Sequence, residues 1–402
     1  MKTVNVSGDQ IDVADAGLSL KHSLSPLFAP LSIRTLVVPN RFVMAPMTRG
    51  HSPNGIPTQP VADYYRRRAE GGVGLIITEG TGIDHGASIG YNNYNGCDIP
   101  FLFGKEAIAG WKQVVSAVHA VGGKIAPQLW HQGVMRQAGT PPFPDVPSSR
   151  PSGIWGPANS RSTIAASSVE QLLPDTLPLS ESEIADIIAA YARSAAYAES
   201  AGFDAIALHG AHGYLIDTFL WSFTNRRTDN YGGDHVGRTR FACEVIRAVR
   251  AALRTDLPII FRFSQWKQQD IEARLANTPA ELEQILIPLA EAGVDVFDAS
   301  TRDFRLPAFE GSPLNLAGWA RKITGKPAMT VGGVGLDKDI YASFAGGSQA
   351  ASLEPLLERF NDGEFDLVGV GRALIAEADW VTKIRQGTPC RGFDASMLAN
   401  ID

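Results

Sequence analysis

The chain alternates short apolar runs with amphipathic stretches along most of its length, and this alternation constrains the fold more than any other feature. Apolar runs that are continuous rather than alternating predict strands buried on both faces, as in parallel sheets. Eight such runs are present, at residues 41–46, 74–79, 124–129, 203–208, 258–263, 294–299, 328–332 and 367–371. Amphipathic stretches between strands predict crossover helices. We therefore predict an α/β fold, a single (β/α)8 TIM barrel.

Two helices show their start or packing face in the sequence. Ser180 and Glu183 have the spacing of a capping box, and an apolar stripe follows: Ile184, Ile187, Ile188, Tyr191, Ala195 and Ala198. A second helix begins near Glu106, with Ile108, Trp111, Val115 and Val118 on one face. No Gly/Ser-rich or Pro-rich linker divides the chain. We predict one barrel domain over residues 24–402, preceded by an extension of residues 1–23.

Three segments depart from the regular alternation. Residues 27–38 resemble a short hairpin that would plug one end of the barrel. Residues 130–179, rich in Pro and Ser, follow the third predicted strand, and residues 301–314 follow the sixth. Loops after barrel strands lie at the catalytic face, so these excursions are candidate lids or walls for specificity. The alternative for each is a disordered surface insertion.

Charge and cysteine content exclude several classes of function. The net charge is −6, with 42 acidic and 36 basic residues and no basic tract, which argues against a nucleic-acid surface. Three cysteines, Cys97, Cys243 and Cys390, lie far apart, so neither a disulfide framework nor a cysteine-ligated metal or iron–sulfur cluster is predicted. The acidic first 22 residues do not resemble a secretory signal, and no apolar run is long enough to span a membrane. We expect a cytoplasmic protein, monomeric or homo-oligomeric.

Polar residues recur at the carboxyl ends of the predicted strands. They are Thr48 after the first strand, Glu79 and Gly80 at the second, Gln128 and Trp130 at the third, His209 and His212 at the fourth, and Arg262 and Ser264 at the fifth. In a barrel these ends form one rim, so we expect the residues to converge on one pocket.

Glycine-rich turns follow the last two strands, at residues 331–335 and 368–372. Backbone N–H groups at such turns bind phosphate, and Arg372 adds a fork-shaped cation. Relief of strain at tight turns is the alternative. Arg262 lies inside an apolar run, where burial requires an anionic partner. That partner is either a neighbouring carboxylate or a bound anionic ring or phosphate.

His209, His212 and Tyr214 lie within one six-residue segment. Two imidazoles could donate to one substrate oxygen while the phenol supplies a proton. Two alternatives stay open here: a zinc site completed by Asp217, and a histidine pair with a purely structural role.

The sequence resembles the Old Yellow Enzyme family of flavin oxidoreductases between about Leu27 and Gly387. The likeness is carried by residues 40–49 (NRFVMAPMTR), 127–131 (PQLWH), 209–214 (HGAHGY) and 225–233 (NRRTDNYGG), in the family's order. The family varies at two sites. At the oxygen-binding site both positions are His here, as in some members, whereas many members pair His with Asn. At position 48 the chain has Thr, as in the more familiar branch, whereas another branch has Cys.

The resemblance implies bound FMN, with NADPH or NADH as reductant. It implies that the flavin is held by Pro46, Met47, Thr48, Gly80, Gln128, Arg262, Gly332, Gly333, Gly371 and Arg372. Of these, Thr48 would lie near the N5–O4 edge, Gln128 at the pyrimidine ring and Arg262 at N1 and O2, while the last four would hold the phosphate. For Thr48 a turn-capping role, and for Gln128 a satisfied strand-end amide, are the alternatives.

The implied reaction is the reduction of an activated alkene in two half-reactions at one site. His209 and His212 would bind a carbonyl or nitro oxygen, flavin N5 would deliver hydride to the β-carbon, and Tyr214 would protonate the α-carbon. Trp130 would shape substrate fit, or merely pack. The alternatives are a reductase acting mainly on nitro compounds or nitrate esters, a non-redox phosphate-binding barrel such as an aldolase, and a catalytically silent flavin-binding protein. An iron–sulfur dienoyl-CoA reductase would need a cysteine cluster that the sequence lacks.

Overall fold

The computed structural model describes residues 20–90 and 98–401 of the chain. Cys97 and most of the predicted N-terminal extension lie outside the described residues. The strands are β1 (Leu31–Ile33), β2 (Leu36–Val38), β3 (Phe42–Met44), β4 (Leu75–Gly82), β5 (Ile125–Trp130), β6 (Ile206–His209), β7 (Ile259–Phe263), β8 (Val296–Ser300), β9 (Ala328–Val331) and β10 (Leu367–Val370).

Strands β3 to β10 form a closed barrel in which each strand pairs with its sequence neighbours and β10 pairs with β3. All pairings around the barrel are parallel. The predicted TIM barrel is therefore confirmed, with each of its eight strands overlapping a predicted run. Each run is apolar because barrel strands are covered by helices outside and by packed side chains inside.

Strand β4 continues to Gly82, beyond the predicted end at residue 79, and its register against β5 shifts between Ile77 and Gly80. Such an irregularity re-aims side chains near a barrel rim. A Cβ atom at Gly80 would lie 2.6 Å from the Trp130 side chain. Glycine at this position therefore allows β4 to approach the indole ring closely.

The helices surround the barrel and join consecutive strands. They are α1 (Gln59–Glu70), α2 (Lys105–His119), α3 (Ala166–Leu172), α4 (Glu181–Ala201), α5 (Leu215–Leu220), α6 (His235–Arg238), α7 (Arg240–Ala252), α8 (Pro279–Ala292), α9 (Leu316–Thr324), α10 (Ile340–Gly346), α11 (Glu354–Asn361), α12 (Arg372–Ala376) and α13 (Trp380–Gln386), with short 3₁₀ turns at Ser25–Phe28, Pro53–Gly55, Gly133–Met135 and Ala395–Leu398. None of the helices described within residues 20–90 and 98–401 combines the length and apolar composition that crossing a bilayer requires.

Helix α4 begins with the predicted capping box. The Glu183 N–H donates to Ser180 Oγ over 3.3 Å, and the Ser180 N–H donates to Glu183 Oε2 over 2.7 Å. These two bonds satisfy donors that the first turn leaves without partners. The helix ends at Ala201 and is capped by Gly202, whose φ of 93° is in the left-handed region that glycine adopts without strain.

The predicted hairpin is formed by β1 and β2, which pair antiparallel before the barrel. Its apolar side chains Ile33, Leu36 and Val38 pack with inward-facing residues such as Val43 and Leu75. Leu75 is the first residue of β4, so the hairpin covers the amino-terminal end of the barrel. This closure leaves the carboxyl end as the mouth.

The excursion after β5 is held by buried arginines that donate to loop carbonyl groups. Arg136 binds the carbonyl oxygens of Ile89, Val146 and Phe143. Arg150 binds those of Gly153, Pro174 and Leu172. Because a guanidinium has five N–H donors, one arginine can satisfy several loop carbonyls at once.

Candidate active site at the barrel mouth

Three neighbouring strands end in the polar residues that the sequence predicted to converge. In the parallel register Gln128 of β5 lies opposite Gly80 of β4, and His209 of β6 lies opposite Arg262 of β7. All three polar side chains are buried. The strand ends therefore place an amide, an imidazole and a guanidinium side by side at the mouth.

The residues after β6 form a compact aromatic cluster. The ring of His209 lies 5.1 Å from that of His212 and 4.9 Å from that of Tyr214, centroid to centroid. The Trp130 ring packs edge-on against Tyr214 at 4.9 Å and stacks with His209 at 6.3 Å. The predicted substrate-binding and proton-donating side chains thus share one wall of the mouth. We call this group, His209, His212 and Tyr214, the histidine wall.

Both imidazoles in this wall are neutral at pH 7. Burial lowers the pKa of His209 well below its usual value, and the positive charge of Arg262 lowers it further. Burial, with His209 and Arg262 nearby, does the same to the pKa of His212. A neutral imidazole carries one N–H donor. The Ala211 N–H donates to His209 Nδ1 over 3.3 Å, so the proton of His209 is on Nε2.

A serine at the end of β8 links the histidine wall to Arg262. Ser300 Oγ lies 2.9 Å from His212 Nε2 and accepts a 3.0 Å hydrogen bond from the Arg262 guanidinium. The sequence reasoning missed Ser300, although it occupies the strand-end position that singled out the other rim residues. Its hydroxyl can donate to His212 while it accepts from Arg262.

Several buried polar atoms at the mouth have no hydrogen-bond partner among the described residues. They include Gln128 Nε2 and the Nε and NH1 atoms of Arg262. Arg262 NH1 does lie 3.5 Å from Asp298 Oδ2, so the predicted carboxylate partner exists, and burial raises the pKa of Asp298 to about 6. Leaving buried donors unsatisfied costs about 1–3 kcal/mol each. These donors suit a ligand that presents several acceptors, as the pyrimidine side of a flavin ring does.

The loop after β3 is fixed to the end of β4 by a buried carboxylate. Glu79 Oε2 accepts from the N–H groups of Arg49 and Gly50 over 2.8 and 2.9 Å. Burial raises the pKa of Glu79 to about 7. The residues Pro46, Met47 and Thr48 lie just before this anchor and are half-buried. Sequence reasoning placed Glu79 on the rim without assigning it a function.

The glycine-rich turn after β9 adopts a conformation that favours glycine. Gly332 and Gly333 have φ values of 138° and 73°, and a Cβ atom at Gly332 would lie 2.5 Å from the Thr301 carbonyl oxygen. At Gly371 the Met47 sulfur lies 3.5 Å from a Cβ position, so the turn after β10 borders the loop after β3. The absence of a side chain at these glycines would let a phosphate approach the backbone N–H groups closely.

Arg372 is placed beside these turns, but its guanidinium binds protein groups. It donates to the carbonyl oxygens of Asp339 and Lys338 over 2.9 and 3.0 Å and contacts the Ser343 hydroxyl. Arg372 therefore joins the start of α12 to the loop after β9. Its function as a phosphate ligand stays a prediction.

Asp217 is not available as the third ligand of the alternative zinc site. Asp217 is fully buried and forms a 2.7 Å ion pair with Lys267, which is also fully buried. Its other oxygen accepts from the Gly213 N–H over 2.7 Å. Both carboxylate oxygens are therefore bonded within the protein.

A cavity of about 470 Å³ opens beside the histidine wall. Ser300 and Trp266 line it, and Trp266 stacks on His212 at 4.5 Å. Its charged lining residues are Arg274, Arg302, Arg305, Asp303, Asp337 and Asp339. Arg302 is paired with Asp339 over 2.8 Å and Arg305 with Asp303 over 2.7 Å.

The model of the NADH:flavin oxidoreductase / NADH oxidase family matches residues 26–391. The chain belongs to this family. The resemblance to Old Yellow Enzymes is thereby confirmed, and the family's flavin is FMN. The family match spans every strand of the barrel and every residue of the mouth described above.

Individual relatives agree with this assignment. The chain is 34% identical over 374 residues to an NADH oxidase of Thermoanaerobacter brockii. The alignment covers 90% of this chain but only 51% of that protein, so the chain spans about half the length of this relative. It is 34% identical over 386 residues to a chanoclavine-I aldehyde reductase of Penicillium roqueforti, covering 92% of both. A morphinone reductase solved with tetrahydroNAD has a TM-score of 0.73 and 28% identity, covering 92% of this chain and 93% of that one.

Proposed function

We propose that this protein is an FMN-dependent NAD(P)H oxidoreductase that reduces the activated C=C bond of α,β-unsaturated carbonyl or nitro compounds. The observation that carries the proposal is the pair of neutral imidazoles beside Tyr214, facing the same mouth as the unsatisfied donors of Gln128 and Arg262. Two neutral N–H donors and a phenol are the groups that an enone oxygen and its α-carbon require.

The same donors are the basis for proposing where the cofactor is held. Gln128 and Arg262 would satisfy the pyrimidine side of the ring, and Thr48 and Gly80 would border its other edge. The turns at Gly332, Gly333, Gly371 and Arg372 would hold the phosphate through backbone N–H groups. When bound, FMN supplies the redox chemistry, accepting a hydride from a nicotinamide and giving it to the alkene. Arg262 would favour the electron-rich state of the ring through its positive charge.

The protein's own groups would act on the substrate in two ways. His209 and His212 donate hydrogen bonds to the carbonyl or nitro oxygen, which withdraws electron density from the β-carbon and prepares it for hydride. As the π bond breaks, electron density moves to the α-carbon, and the Tyr214 hydroxyl transfers its proton there. Trp130 fixes the Tyr214 ring from the side. The product gains one hydride and one proton in all.

The relatives support a nicotinamide as the electron source. One is named an NADH oxidase, and another was solved with tetrahydroNAD. The proposal covers both NADPH and NADH as the reductant. The cytoplasmic location predicted from the sequence is likewise part of the proposal.

A second candidate activity uses the same site. A nitro group or nitrate ester presents oxygens that His209 and His212 could bind as they would bind a carbonyl. The aldolase alternative needs a lysine available for a Schiff base. Lys267, the buried lysine near the site, is instead bonded to Asp217 and to the Ser264 carbonyl oxygen. The geometry therefore favours a reductase.

The proposal is tested by separating the two half-reactions without oxygen. NADPH or NADH should reduce the bound flavin, and cyclohexenone added afterwards should restore the oxidised spectrum with formation of cyclohexanone. A nitroalkene and a nitrate ester tested in parallel rank the candidate substrates. The proposal would be overturned if oxygen reoxidises the reduced flavin but none of these compounds does so.

A further inference from the structure

The turn that carries His212 and Tyr214 has a backbone conformation that needs external support. His212 has a φ of 64° and Gly213 a φ of 78°. Residues other than glycine occupy the left-handed region infrequently, histidine more often than most, and the contacts around this turn help to keep His212 there. A side chain at Gly213 would be strained at this φ and would displace the Gln269 amide, because a Cβ atom would lie 1.8 Å from Gln269 Oε1.

Four side chains form hydrogen bonds with the backbone of this turn or with one another. We call these residues the frame: Asp217, Ser264, Lys267 and Gln269. The His212 N–H donates to Ser264 Oγ over 3.0 Å, and the Gly213 N–H donates to Asp217 Oδ2 over 2.7 Å. Gln269 Nε2 donates to the Gly213 carbonyl oxygen over 2.9 Å. The peptide groups on both sides of His212 are therefore held by hydrogen bonds.

Lys267 joins the frame into one unit. Its ammonium group donates to Asp217 Oδ1 over 2.7 Å and to the Ser264 carbonyl oxygen over 3.1 Å. Asp217 belongs to α5 and Lys267 to the loop after β7, so the ion pair ties two elements beneath the turn. All four frame side chains are buried. A buried ion pair is weak support for stability alone, but it can specify one geometry.

We infer that the frame of Asp217, Ser264, Lys267 and Gln269 is a positioning device that aims His212 and Tyr214 at the substrate oxygen and α-carbon. This inference rests on the proposed reductase function. The frame residues bond the backbone of the turn, so they act through His212 and Tyr214 rather than on the substrate. The reductive half-reaction, in which a nicotinamide reduces the flavin, does not need the Tyr214 proton.

The central test compares two double variants that both remove the buried charges. D217N/K267M keeps an amide oxygen that can accept from the Gly213 N–H, whereas D217L/K267M removes that acceptor. Neither leaves an uncompensated buried ion. In the FMN-loaded protein, D217L/K267M should bind a para-substituted phenol at least about tenfold more weakly and reoxidise with cyclohexenone at least about tenfold more slowly. D217N/K267M should lose clearly less of both than D217L/K267M, because its amide oxygen can still accept from the Gly213 N–H.

The matched control is Thr218→Val, a buried change one residue further along α5. The Thr218 hydroxyl donates to the Leu215 carbonyl oxygen and does not bond Gly213. This variant should leave phenol affinity unchanged. If D217L/K267M binds phenol and reacts with cyclohexenone as wild type does, the inference is wrong. Equal losses in both double variants, extending to flavin reduction by nicotinamide, would overturn it as well.

A smaller substitution keeps the test decisive if the double variants fail to fold. Ser264→Ala removes the acceptor for the His212 N–H and should weaken phenol binding by roughly threefold to tenfold. In a His212→Ala background the same change should have no further effect, because the partner through which it acts is gone. Additive losses in the two backgrounds would refute positioning through His212. Wild-type protein that binds FMN but does not reduce cyclohexenone refutes the proposed function itself, whatever the variants do.

Discussion

The two ends of the barrel use opposite chemistry. At the amino-terminal end, the hairpin side chains of Ile33, Leu36 and Val38 close an apolar layer. At the carboxyl end, Gln128, Arg262 and other buried polar groups meet without full hydrogen bonding among the described residues. An apolar layer stabilises the fold through burial, whereas unsatisfied buried donors lower stability until a ligand satisfies them. The contrast indicates which end is for folding and which is for binding.

The contrast is also present within the mouth itself. The histidine wall is held by backbone hydrogen bonds to the frame, whereas the face formed by Gln128 and Arg262 has buried donors without a partner among the described residues. A group that must act on changing substrates is best fixed by the protein. A group that holds a resident cofactor can receive its last hydrogen bonds from that cofactor.

The largest effect is expected at the mouth, from Tyr214→Phe. Loss of the proton donor should slow flavin reoxidation by cyclohexenone by roughly 100-fold to 10,000-fold, the range typical of general acid catalysis. Flavin reduction by NADPH or NADH should stay within a factor of about three. Rapid-mixing absorbance at the flavin band measures both steps. Equal slowing of the two half-reactions would remove Tyr214 from the proton-donor position.

The opposite end should respond in stability alone. Leu36→Ala creates a cavity in the apolar layer, because Leu36 is 2% exposed, and should lower the free energy of unfolding by about 2–5 kcal/mol. The rates of the two half-reactions should be unchanged in the folded protein. Urea unfolding together with the same absorbance measurements tests both statements. A catalytic defect without a loss of stability would break the proposed division between the two ends.

Glu79 should make stability depend on pH. Its pKa is raised to about 7 by burial, so the folded protein keeps the proton while the unfolded chain ionises above its ordinary value. The contribution of Glu79 to the free energy of unfolding is therefore largest below about pH 4.5. It falls by about 3 kcal/mol as the pH rises to 7. Glu79→Gln should remove that part of the slope. Wild-type and variant curves of unfolding free energy that run parallel from pH 4.5 to 7.5 would contradict this assignment.

Among the changes at Tyr214, Leu36, Glu79 and His209, the smallest effect is expected for His209→Ala. Loss of one N–H donor to a bound phenolate should weaken phenol binding by about tenfold to a hundredfold, as for other hydrogen bonds to charged groups. Titration of the long-wavelength charge-transfer band of the flavin–phenol complex gives the dissociation constant. An unchanged constant would separate His209 from the oxygen site and leave His212 as the remaining donor.

The sequence predicts the barrel well because its signals are local. The apolar runs, the capping box at Ser180 and the hairpin each depend on neighbouring residues, and all three are present in the structure. Strand-end positions of His209 and Arg262 follow from the same periodicity. Once the barrel topology is assumed, these strand-end positions are enough to predict that the side chains converge.

Partners that come from distant parts of the chain could not be predicted in this way. The pairing of Asp217 with Lys267 joins residues on different elements, and the sequence reasoning considered Asp217 only as a metal ligand. Arg372 binds carbonyl groups of the loop after β9, although its position beside a glycine turn predicted a phosphate. Arg136 and Arg150 organise the excursion after β5 from inside it. Long side chains with several donors have many possible partners, and only the folded structure selects among them.

The central claim is that the unsatisfied donors at the mouth hold a flavin ring, and the absorption spectrum of the purified protein tests it most directly. We predict a yellow protein with one FMN per chain, whose visible bands disappear on anaerobic addition of NADPH or NADH. A colourless protein that takes up no FMN on reconstitution would contradict the account.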